Sequence, residues 1–300
     1  MKWVLVDISW LAYRALHAVG ELEHEDIPTG IIFGFFHQLR QVCLDNRVRS
    51  NRVLIFCDSR SSIRQREYPE YKQKRKEKRT DEEVQRIKSM RRQMDLLSSR
   101  ILQKIGFPVY FQEGLESDDL IAFAAQLLTE QKREAVIVTS DGDLLQCITP
   151  YVNWFDPQRN RYYDEDSFSA EKGLPPSKWS EVKALGGCSS DCVKGVPGVG
   201  EGTAIKYLLG DLPPRYKAHE SIISPSGRKT LKRNRRLIVL PHEATEPIVV
   251  RKPRFRPSVF FKYCERYGLL SILREKKAWT SFLTGSLFKT RMRGLRARSR

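Results

Sequence analysis

Three short apolar stretches of this chain each end on an aspartate. They are residues 3–7, 53–58 and 136–141, which finish with Asp7, Asp58 and Asp141. Uninterrupted apolar runs of this length are typical of strands that are buried on both faces in a parallel sheet. Because open α/β sheets place their sites outside the carboxyl ends of such strands, the pattern predicts an acidic pocket at that edge.

Between these strands the hydrophobic pattern indicates helices. We predict helices over residues 11–19 and 31–44, and a further strand over residues 108–111. The alternation of strand and helix continues to about residue 183. It predicts an α/β domain over residues 1–183 with a central, mostly parallel sheet.

A polar and mostly basic insertion, residues 59–95, interrupts this alternation directly after the second strand. Such a segment is either a solvated surface excursion or a ligand-binding element. Two aromatic residues, Tyr68 and Tyr71, lie among the cations Arg64, Arg66, Lys72, Lys74 and Arg75. Alternation of aromatic and cationic side chains favours a path for single-stranded nucleic acid, where bases stack and phosphates pair with cations.

The chain changes character after residue 183. Glycines recur at Gly198, Gly200 and Gly202 before a predicted helix that contains Lys206, and residues 228–236 are basic. The loop is either a flexible connection or a backbone cradle for phosphate at a helix terminus. We predict a helical region over residues 184–285 that binds duplex, and a disordered basic tail over residues 286–300.

The charge balance sharpens the prediction of an acidic pocket. The chain has 53 Lys plus Arg against 36 Asp plus Glu, a formal net charge of +17. Carboxylates gathered inside a cationic protein repel one another unless a cation lies among them, and hard divalent ions with oxygen ligands are the usual solution. The basic exterior indicates a polyanionic partner.

The six cysteines are scattered, and three of them lie in apolar stretches, so we expect a reduced protein without a disulfide framework. Cys188 and Cys192 lack a second ligand pair at suitable spacing, which disfavours zinc. We see no secretory signal, because the N-terminal apolar run stops at Asp7. No segment approaches the roughly 20 apolar residues of a membrane span. We expect a cytoplasmic protein.

Two acidic segments lie where strands pass into helices. Residues 116–119 and 141–143 together contain Glu116, Asp118, Asp119, Asp141 and Asp143. Each segment alone is explained by helix capping, with Ser117 as the cap, or by a polar turn. Five acids in two such loops, joined by Asp7 and Asp58, favour a metal site.

These motifs resemble the flap endonuclease and 5′-nuclease family, which includes bacterial and bacteriophage 5′→3′ exonucleases. Residues 116–119 are similar to its E-x-D-D element, residues 139–143 to its T-S-D-x-D element, and residues 71–75 to the Y-K-x-x-R of its helical arch or clamp. Residues 195–200 are similar to its helix-hairpin-helix loop. The similarity runs in the family's order from Asp7 to about residue 204 and more loosely to residue 240.

The resemblance implies a PIN-like nuclease domain with an inserted arch, a helix-hairpin-helix region and two Mg²⁺ or Mn²⁺ ions. Asp7, Asp58, Glu116 and Asp118 would hold the first ion. Asp118, Asp141, Asp143 and Asp191 would surround the second, with Asp119 in support. Lys72 and Arg75 would be catalytic cations. The residues expected to contact DNA are Arg64, Tyr68, Tyr71, Gly198, Gly200, Gly202 and Lys206, with K⁺ at the hairpin.

One position departs from the family pattern. The family normally reads G-D-x-x-D-N before its glycine loop, whereas this chain has Cys188 in the place of the first aspartate. A thiol is a poor ligand for Mg²⁺, so we expect a weakened second metal site.

The predicted function is metal-dependent hydrolysis of phosphodiester bonds near DNA 5′ ends or 5′ flaps, or in the RNA strand of an RNA–DNA hybrid, during replication or repair. We expect a monomer in a bacterial or bacteriophage-infected cell, with replication proteins as partners. The alternative is a branched-DNA binding protein of the same fold that has lost turnover.

Overall fold

The computed structural model describes residues 2–19, 22–73 and 80–285. Its strands are β1 Trp3–Asp7, β2 Glu23–His24, β3 Ile27–Pro28, β4 Val53–Phe56, β5 Val109–Tyr110, β6 Ala135–Val138, β7 Val152–Asp156, β8 Arg161–Tyr163, β9 Gly187–Cys188 and β10 Val193–Lys194. A six-stranded central sheet has the order β5-β4-β1-β6-β7-β8. Within it only β8 runs antiparallel to its neighbour, which confirms the mostly parallel sheet.

The three aspartate-terminated strands are neighbours in the sheet. Strand β1 lies between β4 and β6, with Val6 opposite Ile55 on one side and Val138 on the other. Alternate residues of β1 enter two different cores: Val4 and Val6 face one, Trp3 and Leu5 the other. Burial on both faces is the reason these strands are apolar throughout, and it brings their carboxyl ends to one edge.

Helices cover both faces of the sheet. They are Ile8–Val19, Gly30–Asp45, Ile63–Glu67, Asp81–Leu96, Leu102–Ile105, Ser117–Glu130, Glu165–Lys172, Trp179–Gly186, Glu201–Leu209, Lys217–Ile223, Pro225–Ile238, Pro257–Arg266, Leu270–Arg274 and Lys276–Leu283. Short 3₁₀ turns lie at Ser50–Arg52, Gly142–Cys147, Pro176–Lys178 and Ser189–Asp191, and a π-helical segment at Leu97–Ile101. The helices predicted over residues 11–19 and 31–44 are confirmed.

The insertion after β4 begins and ends in helix. A capping box between Thr80 and Glu83 opens the helix Asp81–Leu96. Gln93 on this helix accepts hydrogen bonds from the backbone N–H groups of Ile31 and Ile32, at 3.0 and 3.4 Å. These bonds satisfy free donors at the start of the helix Gly30–Asp45, so the second half of the insertion is anchored to the α/β domain.

The chain beyond residue 183 shares both cores of the sheet. Val196 and Ala204 belong to one core, whereas Phe260 and Trp279 belong to the other. An extended segment between them follows the sheet edge, where the Tyr110 hydroxyl donates to the Val249 carbonyl at 3.1 Å. In the described residues no helix is both long and apolar enough to cross a bilayer. The predicted tail, residues 286–300, lies outside the described residues.

Candidate metal centre

Two carboxylates meet where β1 and β4 end. The Ser9 N–H donates to Asp7 Oδ1 at 2.8 Å, and the Ser9 hydroxyl donates to Asp58 Oδ2 at 2.7 Å. Asp7 is the last residue of β1, and Asp58 follows the neighbouring strand by two residues. Ser9, which the sequence does not single out, therefore fixes two of the predicted metal ligands relative to each other.

The helix Ser117–Glu130 starts against this pair. The Ser117 N–H and hydroxyl both donate to Asp58 Oδ1 at 2.9 Å. The interpretation of Ser117 as a helix cap is wrong: the residue is already helical, and Glu116 holds the cap position, where its N–H donates to Asp119 Oδ2 at 3.2 Å. Ser117 instead connects the acidic segment 116–119 to Asp58.

Burial and mutual repulsion disfavour the charged forms of several acids. The pKa of Asp7 is raised well above its ordinary value by burial and then by the charge of Asp58. Burial, followed by repulsion from Asp141, also raises the pKa of Asp118. The same two causes raise the pKa of Asp143 to about 6. These acids therefore lack enough positive charge among the protein's own residues.

A second group of potential ligands lies beside the first. Asp143 donates its N–H to Asp141 Oδ1 at 2.8 Å. One ligand atom each of Asp143, Cys188 and Asp191 lies within 4.8 Å of the other two. Lys183, which sequence analysis missed, has its Nζ 3.5 Å from Asp143 Oδ1. Lys183 bears no motif signal and reaches the site only because its helix packs beside the turn Gly142–Cys147.

Lys72 lies between the two groups. Its backbone has a φ of +57°. The Lys72 N–H donates to the Asp191 carbonyl at 2.9 Å, and the Lys72 Nζ donates to Glu116 Oε2 at 2.9 Å. Burial alone would lower the pKa of Lys72, but neighbours including Tyr71 and Glu116 raise it well above its ordinary value. Lys72 is therefore a fixed cation among the acids. Arg75 lies outside the described residues.

The structure corrects the expectation for Arg64. Its side chain is 2% exposed, and its guanidinium donates to both oxygens of Asp119 at 2.6 and 2.7 Å and to the Leu237 carbonyl at 2.8 Å. No donor nitrogen of this group is left on the surface for DNA. Asp119, which is completely buried, also accepts from the His242 N–H at 2.8 Å, so both of its oxygens are held by Arg64 and the backbone.

The two tyrosines of the insertion differ in exposure. Tyr71 is 4% exposed, and its hydroxyl donates to Glu116 Oε2 at 3.0 Å, which corrects the expectation of a base-stacking surface. Tyr68 is half-buried, and the Arg233 guanidinium lies 5.0 Å from its ring centroid. Tyr68 and Arg233 line a groove of about 470 Å³ together with Lys229 and Lys232.

The glycine loop is exposed next to the helix Glu201–Leu209. Gly198 has φ +75°, a conformation that favours glycine. At Gly200 and Gly202 the backbone is unstrained and an added Cβ would meet nothing within 4 Å. The chain's own packing therefore does not require glycine at these two positions, and it leaves room beside the backbone for a partner. Lys206 is exposed on the following helix.

The donor set suits a hard divalent cation. Seven carboxylates converge from several chain segments, and carboxylate oxygen is the ligand that Mg²⁺ and Mn²⁺ prefer. They are Asp7, Asp58, Glu116, Asp118, Asp141, Asp143 and Asp191. Burial, and then repulsion between neighbouring acids, raises the pKa values of Asp7, Asp118 and Asp143, and such a cation would stabilise their charged forms.

Comparisons with known proteins show the family to which the chain belongs. A sequence model of the family described as "5'-3' exonuclease, N-terminal resolvase-like domain" matches residues 2–173. The chain is 28% identical to the 5'-3' exonuclease of Buchnera aphidicola subsp. Schizaphis graminum over 207 residues, which are 69% of each protein. It is also 28% identical to DNA polymerase I of Rhizobium leguminosarum over 240 residues, 77% of this chain and 23% of the polymerase.

The chain thus spans about a quarter of the length of the DNA polymerase I relatives that it matches.

Among solved structures, the bacteriophage T5 D15 flap endonuclease in complex with DNA and metal ions is similar to this chain. The comparison gives a TM-score of 0.67 at 21% identity and covers 80% of this chain and 90% of that one. At this identity the likeness shows a shared fold. Because the family match extends over more than half of the 300 residues, this chain belongs to the family of 5′-3′ exonucleases with the N-terminal resolvase-like domain.

Proposed function

We propose that this chain is a metal-dependent 5′-nuclease that hydrolyses phosphodiester bonds near the 5′ ends of DNA. The observation that supports this most directly is the meeting of seven carboxylates in a chain with net charge +17, with Lys72 beside three of them, Glu116, Asp118 and Asp191. A pure DNA-binding protein has no use for carboxylates crowded beside its ligand, since they repel phosphate. The family match supports the same activity.

Two groups of residues would hold the metal ions. Asp7, Asp58, Glu116 and Asp118 would bind one Mg²⁺ or Mn²⁺. Asp118, Asp141, Asp143 and Asp191 would surround the other. When bound, such a pair of ions activates water and stabilises the attacking and leaving oxygens of a phosphodiester. Asp119 stays paired with Arg64 and keeps the start of its helix in place.

The chain's own cation completes the centre. Lys72 is bonded to Glu116 in this structure, and a substrate phosphate would compete with Glu116 for its Nζ. A fixed cation in a partly buried site stabilises charge that develops on phosphate more strongly than a solvated one. Arg75, three residues further along the arch motif, is proposed to act with it.

The duplex is proposed to bind the glycine loop and the basic helix Pro225–Ile238. Gly198, Gly200 and Gly202 leave their backbone open to phosphate and to a K⁺ ion, and Lys206 supplies a nearby cation. Tyr68 and the groove beside it would receive the displaced 5′ strand. Contacts of this kind recognise the backbone and the shape of DNA and do not read its base sequence.

The proposed substrates are DNA with a 5′ flap or a 5′ end and the RNA strand of an RNA–DNA hybrid. The T5 D15 relative was solved with DNA and metal ions. We propose that the chain acts as a monomer in replication or repair, in the cytoplasm of a bacterial or bacteriophage-infected cell, where it meets replication proteins.

The proposal is tested with a 5′-labelled flap duplex. Wild-type protein should release short 5′ products with Mg²⁺ or Mn²⁺ and none with excess EDTA. Asp118→Asn should abolish cleavage while flap binding in EDTA stays within about twofold, because the basic surface and not the metal site holds DNA. Asp166→Asn, an exposed acid on the helix Glu165–Lys172, is the matched control and should cleave normally.

Two outcomes would contradict the proposal. Flap binding without cleavage under every metal condition would favour the branched-DNA binding protein. Undiminished cleavage by Asp118→Asn would show that the activity does not use this centre.

A further inference from the structure

One cluster at the centre contains sulfur. The Sγ atom of Cys188 and one carboxylate oxygen each of Asp143 and Asp191 lie within 4.8 Å of one another. Cys188 is 6% exposed and Asp191 is 7% exposed. Two of these three potential ligands are therefore screened from bulk water.

The hairpin that holds the sulfur is tightly constrained. In it Cys188 of β9 pairs with Val193 of β10, and Asp191 lies in the connecting turn. Gly187 has φ +82°, and a Cβ there would lie 2.4 Å from the Gly195 nitrogen. The close approach of the two strands at these glycines keeps Cys188 and Asp191 on one side of the hairpin, facing Asp143.

The separation of the sulfur from one carboxylate suits a shared ion. A tetrahedral zinc ion with bonds of about 2.3 Å to sulfur and about 2.1 Å to oxygen places these two ligands about 3.6 Å apart. Cys188 Sγ lies 3.8 Å from Asp143 Oδ2. The widest separation in the cluster, 4.8 Å at most, needs to close by only about 1 Å to reach the same geometry.

We propose that Asp143, Cys188 and Asp191 form a mixed thiolate and carboxylate site that binds a thiophilic divalent ion such as Zn²⁺ or Co²⁺ more tightly than Mg²⁺. Thiolate sulfur binds such ions preferentially, whereas Mg²⁺ prefers oxygen ligands. The thiol proton passes to solvent as the bond between sulfur and metal forms. This inference rests on the proposed nuclease function, because the site occupies the position proposed for the second metal ion.

Packing alone does not account for this arrangement. Cys188 does belong to a small apolar cluster with Tyr71, Val193, Leu237 and Ile238. The thiol also donates a weak hydrogen bond to Asp143 Oδ2 at 3.8 Å, so its surroundings are not only apolar. The sulfur lies 3.0 Å from the Ser190 hydroxyl and within reach of both carboxylates, so it is turned toward polar groups and stands where a metal ligand would.

The direct test uses Co²⁺ as the probe and absorption as the measurement. The full chain, stripped of metal and free of DNA, is titrated with Co²⁺. Wild type should develop a near-ultraviolet band from charge transfer between thiolate and cobalt. Cys188→Ser should lose this band, and Cys192→Ser, the matched control four residues along the chain, should keep it. A band absent from wild type, or present in Cys188→Ser, overturns the proposal.

A second measurement compares metal affinities by calorimetry. Cys188→Ser should weaken Zn²⁺ binding by about tenfold or more, as expected when a ligand is lost, and Mg²⁺ binding should change little. Cys188→Asp should bind Mg²⁺ more tightly than wild type. Equal Zn²⁺ affinity in wild type and Cys188→Ser would show that the sulfur packs in the core and does not bind the metal. Neither measurement uses DNA, so the two proposals are tested separately. A cobalt band without flap cleavage would refute the proposed nuclease function but not this site. Flap cleavage without a cobalt band would refute this site but not the nuclease function.

Discussion

Replacement of Arg64 by methionine tests whether the buried ion pair holds the centre together. The Arg64 guanidinium donates two hydrogen bonds to Asp119 and one to the Leu237 carbonyl, all between 2.6 and 2.8 Å. It thereby joins the insertion, the start of the helix Ser117–Glu130 and the end of the helix Pro225–Ile238. Methionine keeps most of the aliphatic stem of the side chain and removes only the charged group.

The expected loss in the free energy of unfolding is about 3–5 kcal/mol, the usual cost of leaving one charge of a buried pair without its partner. The upper part of this range is favoured because Arg64 is 2% exposed and Asp119 is fully buried. Removing the orphaned charge as well should recover part of the loss. Arg64→Met/Asp119→Asn is therefore expected to be more stable than Arg64→Met.

The pH dependence gives a second signature. Despite burial, which raises it, the pKa of Asp119 is lowered overall by Arg64 and by backbone donors. A carboxyl with a lowered pKa in the folded state contributes stability above its ordinary pKa of 3.8, and this contribution is lost as the pH falls through the lower value. Without Arg64, burial raises the pKa of Asp119, so the difference between wild type and Arg64→Met should be largest at pH 7 and above and should shrink as the pH falls toward and below about 4.

The assay is urea unfolding in EDTA, followed by circular dichroism at several pH values. Arg66→Met, two residues away on the same helix and exposed, is the matched control and should change stability by less than about 0.5 kcal/mol. If Arg64→Met loses less than about 1 kcal/mol, or no more than Arg66→Met, the ion pair does not hold these elements together.

Three further predictions concern the centre and the DNA surface. Lys72→Ala should lower the single-turnover cleavage rate by about 10²-fold or more with little change in flap affinity; weaker binding at an unchanged rate would make Lys72 only a phosphate anchor. The raised pKa of Asp143 means that its contribution to stability is present below pH 3.8 and lost as the pH rises through about 6. Asp143→Asn should therefore stabilise the metal-free protein at pH 8 by about 1–3 kcal/mol and not at pH 4, as thermal unfolding in EDTA would show. Flap affinity should fall steeply with salt and hardly vary with base sequence, and a selection experiment that returned one preferred sequence would contradict this.

Local patterns in the sequence predicted the frame of the molecule. An apolar run buried on both faces has few alternatives to a central strand, so β1, β4 and β6 and the gathering of Asp7 and Asp58 at one edge follow from the chain itself. The capping pair Thr80 and Glu83 could also have shown that a helix ends the insertion. Motif order then indicated the family that the comparison confirmed.

The tertiary structure alone decided which charged residues lie at the centre and which join the elements around it. Arg64 and Lys72 lie in the same basic insertion, yet Arg64 is buried against Asp119 and Lys72 reaches Glu116. Likewise Cys188 lies 45 residues from Asp143 in sequence, and only the packing of the hairpin brings them together. A sequence pattern records the neighbours of a residue along the chain, whereas these pairings depend on many small contacts between distant segments, whose sum the pattern does not contain.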